Sequence, residues 1–136
     1  MKHNLYFYSF LILITSCSKE INQYRNIGNI KERTGKWVIK DQTEEGIYLS
    51  KGFYKNNKQV GTWKIYLNNK LVQKEKYKDS IIKIKTYYPN RKLQSKGNSK
   101  LISRKNFSHW YKTGAWKHFS PDGKLDSIIV IPEPKP

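Results

Sequence analysis

The chain of 136 residues contains one cysteine, Cys17, so no disulfide can close within a molecule and no pair of thiolates can hold a metal. Acidic residues are scarce as well. Ten Asp and Glu stand against 27 Lys and Arg, a formal net charge of +17. The carboxylates are scattered: Glu44-Glu45, Glu75 in a lysine-rich stretch where it would neutralise its neighbours, Asp122 and Asp126. No calcium loop, Gly-rich phosphate loop or His-Glu-x-x-His motif can be assembled from them. Beyond residue 16 only His109 and His118 remain as imidazoles, and a catalytic triad needs a histidine with an orienting carboxylate. These absences point away from an enzyme and imply no cofactor and no metal. Apolar residues nowhere recur at helical spacing over a useful window. The longest apolar run, "LYFYSFLILI" at 5–14, is half the length of about 20 residues that a membrane-spanning helix needs.

That run follows a positive "MKHN" and therefore reads as an export signal. It ends in "ITSC" (Ile14, Thr15, Ser16, Cys17), an aliphatic residue and two small ones before a lone cysteine. The ending resembles a bacterial lipobox. The resemblance implies a signal peptide over 1–16 and a lipid on Cys17, which ties the protein to a membrane. Ser18, standing where an Asp would retain a lipoprotein in the inner membrane, favours the outer membrane of the cell envelope. Residues 17–32 are expected to be a polar tether. Removing 1–16 leaves 26 basic and 10 acidic residues, about +16 on 120 residues. An exported protein so charged meets anionic lipid head groups and polysaccharide, and no nucleic acid partner is expected.

Short segments rich in Tyr, Trp, Ile and Val follow: 36–40, 46–54, 62–66, 70–77, 81–88, 106–111, 115–119 and 125–131. Turn residues separate them, "KNNK", "LNNK", "KDS", "PNRK" and "SPDGK". An all-β chain is predicted. Gly-x-Trp occurs three times after a β-branched residue, in "RTGKW", "QVGTW" and "KTGAW", with tryptophans 26 and 53 residues apart. "YLNNKL", "YYPNRKL" and "FSPDGKL" share a second plan: an aromatic, an Asn- or Asp-centred turn, then Lys-Leu. Such spacing indicates an internal repeat.

The unit at 52–79 resembles the MORN-repeat variant of many bacterial proteins. Tyr54, Asn56, Lys58, Gly61, Trp63, Tyr66, Asn68, Lys70 and Leu71 fall on that pattern. Gly35 and Trp37 match a partial first copy, Tyr88, Asn90, Lys92 and Leu93 a middle one, and Gly114, Trp116, Phe119, Asp122, Gly123, Lys124 and Leu125 the last. Asn57, Asn69 and Arg91 depart from the turn glycines of the pattern. The resemblance implies an antiparallel meander of β-hairpins in one elongated sheet over 33–131, ahead of a proline-rich tail at 132–136. By name it also implies an antitoxin or immunity protein for a partner toxin. The glycine of each Gly-x-Trp is expected to leave room for a neighbouring ring or a bulge, with the tryptophans as core.

Two-residue turns at Asn68-Asn69 and Asp79-Ser80 would set Trp63 opposite Lys74, Lys74 opposite Lys85, and Lys76 opposite Lys83. One face would then carry Trp63, Lys74, Lys76, Lys83 and Lys85, and the other Val60, Tyr66, Leu71, Tyr77, Ile82, Ile84 and Tyr88. A two-residue turn at Thr113-Gly114 would bring His109 opposite His118, with no third metal ligand beside them. The function expected is a membrane-anchored binding module whose basic face meets an anionic lipid, a polysaccharide or an envelope protein.

Overall fold

The computed structural model describes residues 20–105 and 107–133. The lipobox-like segment with Cys17 and the last three residues lie outside them. Nine strands follow one another: β1 (Gln23–Ile27), β2 (Ile30–Thr43), β3 (Gly46–Lys55), β4 (Lys58–Leu67), β5 (Lys70–Lys78), β6 (Ile81–Tyr87), β7 (Leu93–Arg104), β8 (Phe107–Phe119) and β9 (Leu125–Ile131). Each pairs antiparallel with the next, giving one open sheet in sequence order, and no helix occurs among the described residues. The chain is an all-β meander. It starts earlier than expected, since β1 and the head of β2 occupy residues assigned to the tether. β7 runs through a stretch of Ser, Gly and Asn that carries no strand propensity. β8 joins two expected strands into one of 13 residues.

The hairpins turn tightly because their turn residues adopt left-handed backbone. Asn56, Asn57, Asn68 and Asn69 have φ of 51°, 60°, 47° and 66°. Two consecutive left-handed residues match the twist of the flanking strands, and Asn enters that region at little cost. Two of these asparagines also do what glycine could not. Asn57 Oδ1 accepts the Arg33 N–H at 2.7 Å, and Asn68 Oδ1 accepts the Ile47 N–H at 3.0 Å. Each turn is thereby clipped to the strand before its hairpin. Arg91 also sits at φ 67°. A branched Cα in that region costs about 1–2 kcal/mol, of which glycine's extra unfolded freedom gives part back. Arg91→Gly is therefore expected to stabilise the fold by about 0.5–1 kcal/mol. An unchanged or lowered midpoint in thermal denaturation would remove that account of the turn.

The three Gly-x-Trp glycines share one geometry. Gly35, Gly61 and Gly114 have φ of 71°, 66° and 69°, and a Cβ built on any of them would meet nothing within 4 Å. Their role is backbone conformation, not the relief of a collision. Between the pairs Lys51↔Lys64 and Phe53↔Val60, Gly52 alone faces three residues of β4, Gly61, Thr62 and Trp63. Between Lys96↔Lys117 and Asn98↔Thr113, Gly97 alone faces Gly114, Ala115 and Trp116 of β8. Such bulges bend and twist a strand. Here each lays an indole flat on the facing glycine, because a Cβ at Gly52 or Gly97 would fall on the ring atoms of Trp63 or Trp116. Each ring also donates its Nε1–H to the carbonyl one residue past that glycine, Phe53 O and Asn98 O, both at 3.2 Å.

The core of this single layer is correspondingly thin. Trp37, Tyr54, Trp63, Ile82 and Trp116 are its buried apolar side chains. Tyr24, Trp37, Tyr54 and Trp63 touch edge to face in succession, with centroids 5.1, 5.4 and 5.2 Å apart. Farther along the same face Tyr77 of β5 meets Trp110 of β8 at 6.0 Å, reaching over β6 and β7. Ser99 of β7, paired with Ile82, is buried on this face, as is Ser95 farther along the strand, paired with Thr86.

Candidate functional site

Directly paired residues of neighbouring strands project from the same face, and residues one apart project from opposite faces. Lys74 pairs with Lys85 and Lys76 with Lys83, as the turns predict. Trp63 does not join them. It pairs with Glu75, because a bulge between Ile65 and Tyr66 shifts the β4–β5 register by one residue. Trp63 is 1% exposed and points to the aromatic face with Glu75, Tyr77, Ile82 and Ile84. It is core, not a ligand platform among lysines. The same shift sends Tyr66 and Leu71 to the lysine side, where Leu49 pairs with Tyr66 and Tyr66 with Leu71.

The lysine that takes the place expected of Trp63 is Lys64, and it completes a longer array. Lys51 pairs with Lys64, Lys64 with Lys74, Lys74 with Lys85, Lys85 with Lys96 and Lys96 with Lys117. Six lysines from β3 to β8 stand side by side in one row, ended by Val38 on β2 and Ile128 on β9. A parallel row one step along reads Thr62, Lys76, Lys83, Asn98, Thr113. The other flank is apolar and aromatic: Leu49, Tyr66 and Leu71, then Tyr87 beside Leu93, then Phe119 beside Leu125. Lys51 Nζ lies 5.4 Å from the centre of the Tyr66 ring and Lys96 Nζ lies 5.6 Å from that of Phe119.

Like charges directly opposite on a sheet repel. Lys51 and Lys96 have their ring contacts, but no carboxylate among the described residues pairs with the row to offset that repulsion. Among the described residues the ion pairs are Arg25–Glu32, Lys100–Glu133 and Lys124–Asp122, none of them in the row. Glu75, expected to neutralise lysines, lies on the opposite face. Its carboxylate accepts from Gln73 Nε2 at 2.6 Å and from the Tyr77 hydroxyl at 2.7 Å. Burial first, and that hydrogen bond second, hold the Tyr77 phenol well above its ordinary value of 10.0.

Two adjoining grooves run over the lysine face. One of about 450 Å³ is lined by Lys74, Lys76, Lys83, Lys85, Lys96 and Lys117 with Thr62, Asn98 and Ala115. The other, about 400 Å³, shares Lys74 and adds Lys64, Tyr66, Tyr87 and Arg91. Neither lining contains a carboxylate. Both volumes lie within the range of ordinary ligand clefts.

The histidines do not meet. Gly114 lies inside β8 instead of in a turn, His109 pairs with Ile102, and His118 pairs with Ser95. Among the described residues no three of His, Cys, Asp and Glu come together as they would around a metal ion.

Sequence reading finds the middle of the row and misses Lys51, Lys64, Lys96 and Lys117. A signal for them is present. "SKG" occurs at 50–52 and 95–97, and "WK" follows a Gly-x at 63–64 and 116–117. The fold pairs each Ser-Lys-Gly with one Gly-x-Trp-Lys, so that glycine and tryptophan meet on one face and the two lysines on the other. In the first copy Val38 follows the tryptophan, and there the row stops.

No family model, curated protein or solved structure matches this chain.

Proposed function

We propose that the protein is a lipid-anchored, MORN-like repeat module of the bacterial envelope whose lysine face binds an anionic surface or polymer. The observation that supports this reading is the uninterrupted row of six lysines without an acidic partner on its face. Keeping five like-charged pairs directly opposed lowers the stability of the sheet. A bound polyanion reverses the sign of that term, which turns a cost of folding into a driving force for binding. Lysine suits a loosely specified target, since its ammonium is a point charge on a flexible stem without arginine's fixed fork. Attraction of this kind is screened by salt, with a Debye length of about 10 Å at 0.1 M.

The test uses the chain from residue 17 onward with Cys17→Ser, which contains the whole sheet. Its binding to vesicles containing phosphatidylglycerol and to a soluble acidic polymer is measured at low and high salt. Lys74→Glu with Lys85→Glu is expected to weaken binding by on the order of tenfold or more. Reversal of Lys58, which lines a cleft on the opposite face, and of Lys124 in the last turn should weaken it far less. The first variant should melt no lower than the parent, because each new carboxylate would stand beside a remaining lysine of the row, Lys64 or Lys96. Equal loss of binding from both pairs would show that net charge alone acts and that the row is no site.

A further inference from the structure

Granted anion binding by the lysine face, we infer that its ligand is a linear acidic polysaccharide. The chain lies across the strands, with carboxylates along the lysine row and sugar rings against Tyr66, Tyr87 and Phe119. Three features of the face select this shape.

The first is dimensionality. The six lysines form a line perpendicular to the strands, and strands lie about 4.7–4.9 Å apart. Five steps therefore cover about 24 Å. Val38 and Ile128 close the line at its two ends. A polymer with one carboxylate per sugar advances by about one strand spacing per residue, so its charges keep pace with the row. In the adjoining row Lys76 and Lys83 widen the line at its middle, so the charge forms a band longer than it is broad, whereas a lipid head-group array has no such axis.

The second is the aromatic flank. Tyr66, Tyr87 and Phe119 follow the row on one side, and Lys51 and Lys96 lean over two of these rings. Rings with an apolar body suit the C–H faces of sugars. On the opposite flank Thr62, Asn98 and Thr113 supply hydroxyl and amide groups for sugar hydroxyls. Polyphosphate has no use for either flank.

The third is relief. The face is grooved: Tyr66 and Tyr87 line the second groove, Phe119 lies beneath Lys96 of the first, and all three rings are partly buried. Membrane docking needs apolar side chains that stand proud of the surface and enter the acyl boundary. The exposed apolar side chains that β9 adds to this face, Leu125, Ile128 and Val130, stand at one end of the row. Between the lysines the track is concave with recessed rings, a form that admits a chain.

The experiment measures binding of the same Cys17→Ser chain to oligogalacturonates shorter and longer than six sugars, to polyphosphate, and to phosphatidylglycerol vesicles. Affinity for the oligouronate should rise with length and level off at about six sugars, the length of the row. Tyr66→Leu keeps an apolar side chain and removes the ring. It should weaken oligouronate binding several-fold and leave polyphosphate binding unchanged, whereas Lys85→Gln should weaken both. Tighter binding to vesicles than to oligouronate, affinity that does not depend on oligouronate length, or indifference to Tyr66→Leu would each overturn the polysaccharide while leaving anion binding in place. Failure to bind all three probes at low salt would overturn anion binding itself.

Discussion

Gly52→Ala will destabilise the protein by about 3 kcal/mol or more, although it adds a single methyl group. The methyl would fall on Cγ, Cδ2 and Cε2 of Trp63, atoms of a rigid ring with no rotamer that keeps it in place. Either β3 and β4 separate or the indole leaves the face. The second outcome forfeits most of the burial of the one large side chain that is fully enclosed among the described residues. Gly61→Ala, two residues before the same tryptophan, meets open space and should cost only the strain of a left-handed alanine, about 1–2 kcal/mol. Urea denaturation of the two variants separates the effects. In a Trp63→Val background the cost of Gly52→Ala should shrink to that of an ordinary strand glycine. A parental midpoint for Gly52→Ala, or an equal cost in both backgrounds, would refute the platform. Gly97 beneath Trp116 should behave as Gly52 does.

Trp63→Ala is the other large loss expected, about 3–5 kcal/mol, the usual range for emptying a buried tryptophan site. In a sheet with five buried apolar side chains this is a large part of a typical stability of 5–15 kcal/mol. The damage should be uneven. Trp63 belongs to a cluster with Trp37 and Tyr54, joined by Ile39 and Tyr77, whereas Trp116 stands on its own glycine five strands away from β3. Repeat arrays hold together largely through nearest neighbours. Hydrogen exchange should therefore accelerate through β2–β5 well before β8 and β9 respond. Uniform acceleration across all nine strands would show one cooperative core instead of two.

Most of the architecture was legible because its signals are local. Asn-Asn and Asp-Gly turns announce hairpins, and Tyr, Ile and Val alternate between them. What escaped was set by pairs of strands. β7 was invisible because Ser95, Gly97 and Ser99 are small for the sake of Trp116 and its neighbours, which no propensity within β7 records. The turn expected at Gly114 was instead a bulge within β8, since a left-handed glycine serves either purpose and only the facing strand decides between them. The face of Trp63 was misassigned for the same kind of reason. One extra residue beyond a correctly placed turn reversed the side to which it points. The pairs Lys74–Lys85 and Lys76–Lys83 were found because no bulge interrupts the pairing of β5 with β6.

The lysine row also governs how copies of the protein meet. A one-layer sheet with both faces in water is the shape from which stacked, fibre-like assemblies are built, and β9 offers such stacking an apolar edge in Ile128, Ile129 and Val130, the last of them 73% exposed. Two sheets laid face to face through the row would oppose six ammonium groups with six more. On the proposed reading, in which copies share one membrane and bind a polyanion, crowded molecules would stand apart until that polyanion ran between them. The same row that keeps them dispersed when bare would then gather them along a shared strand of ligand, so that the spacing of the population becomes a readout of whether the polymer is there.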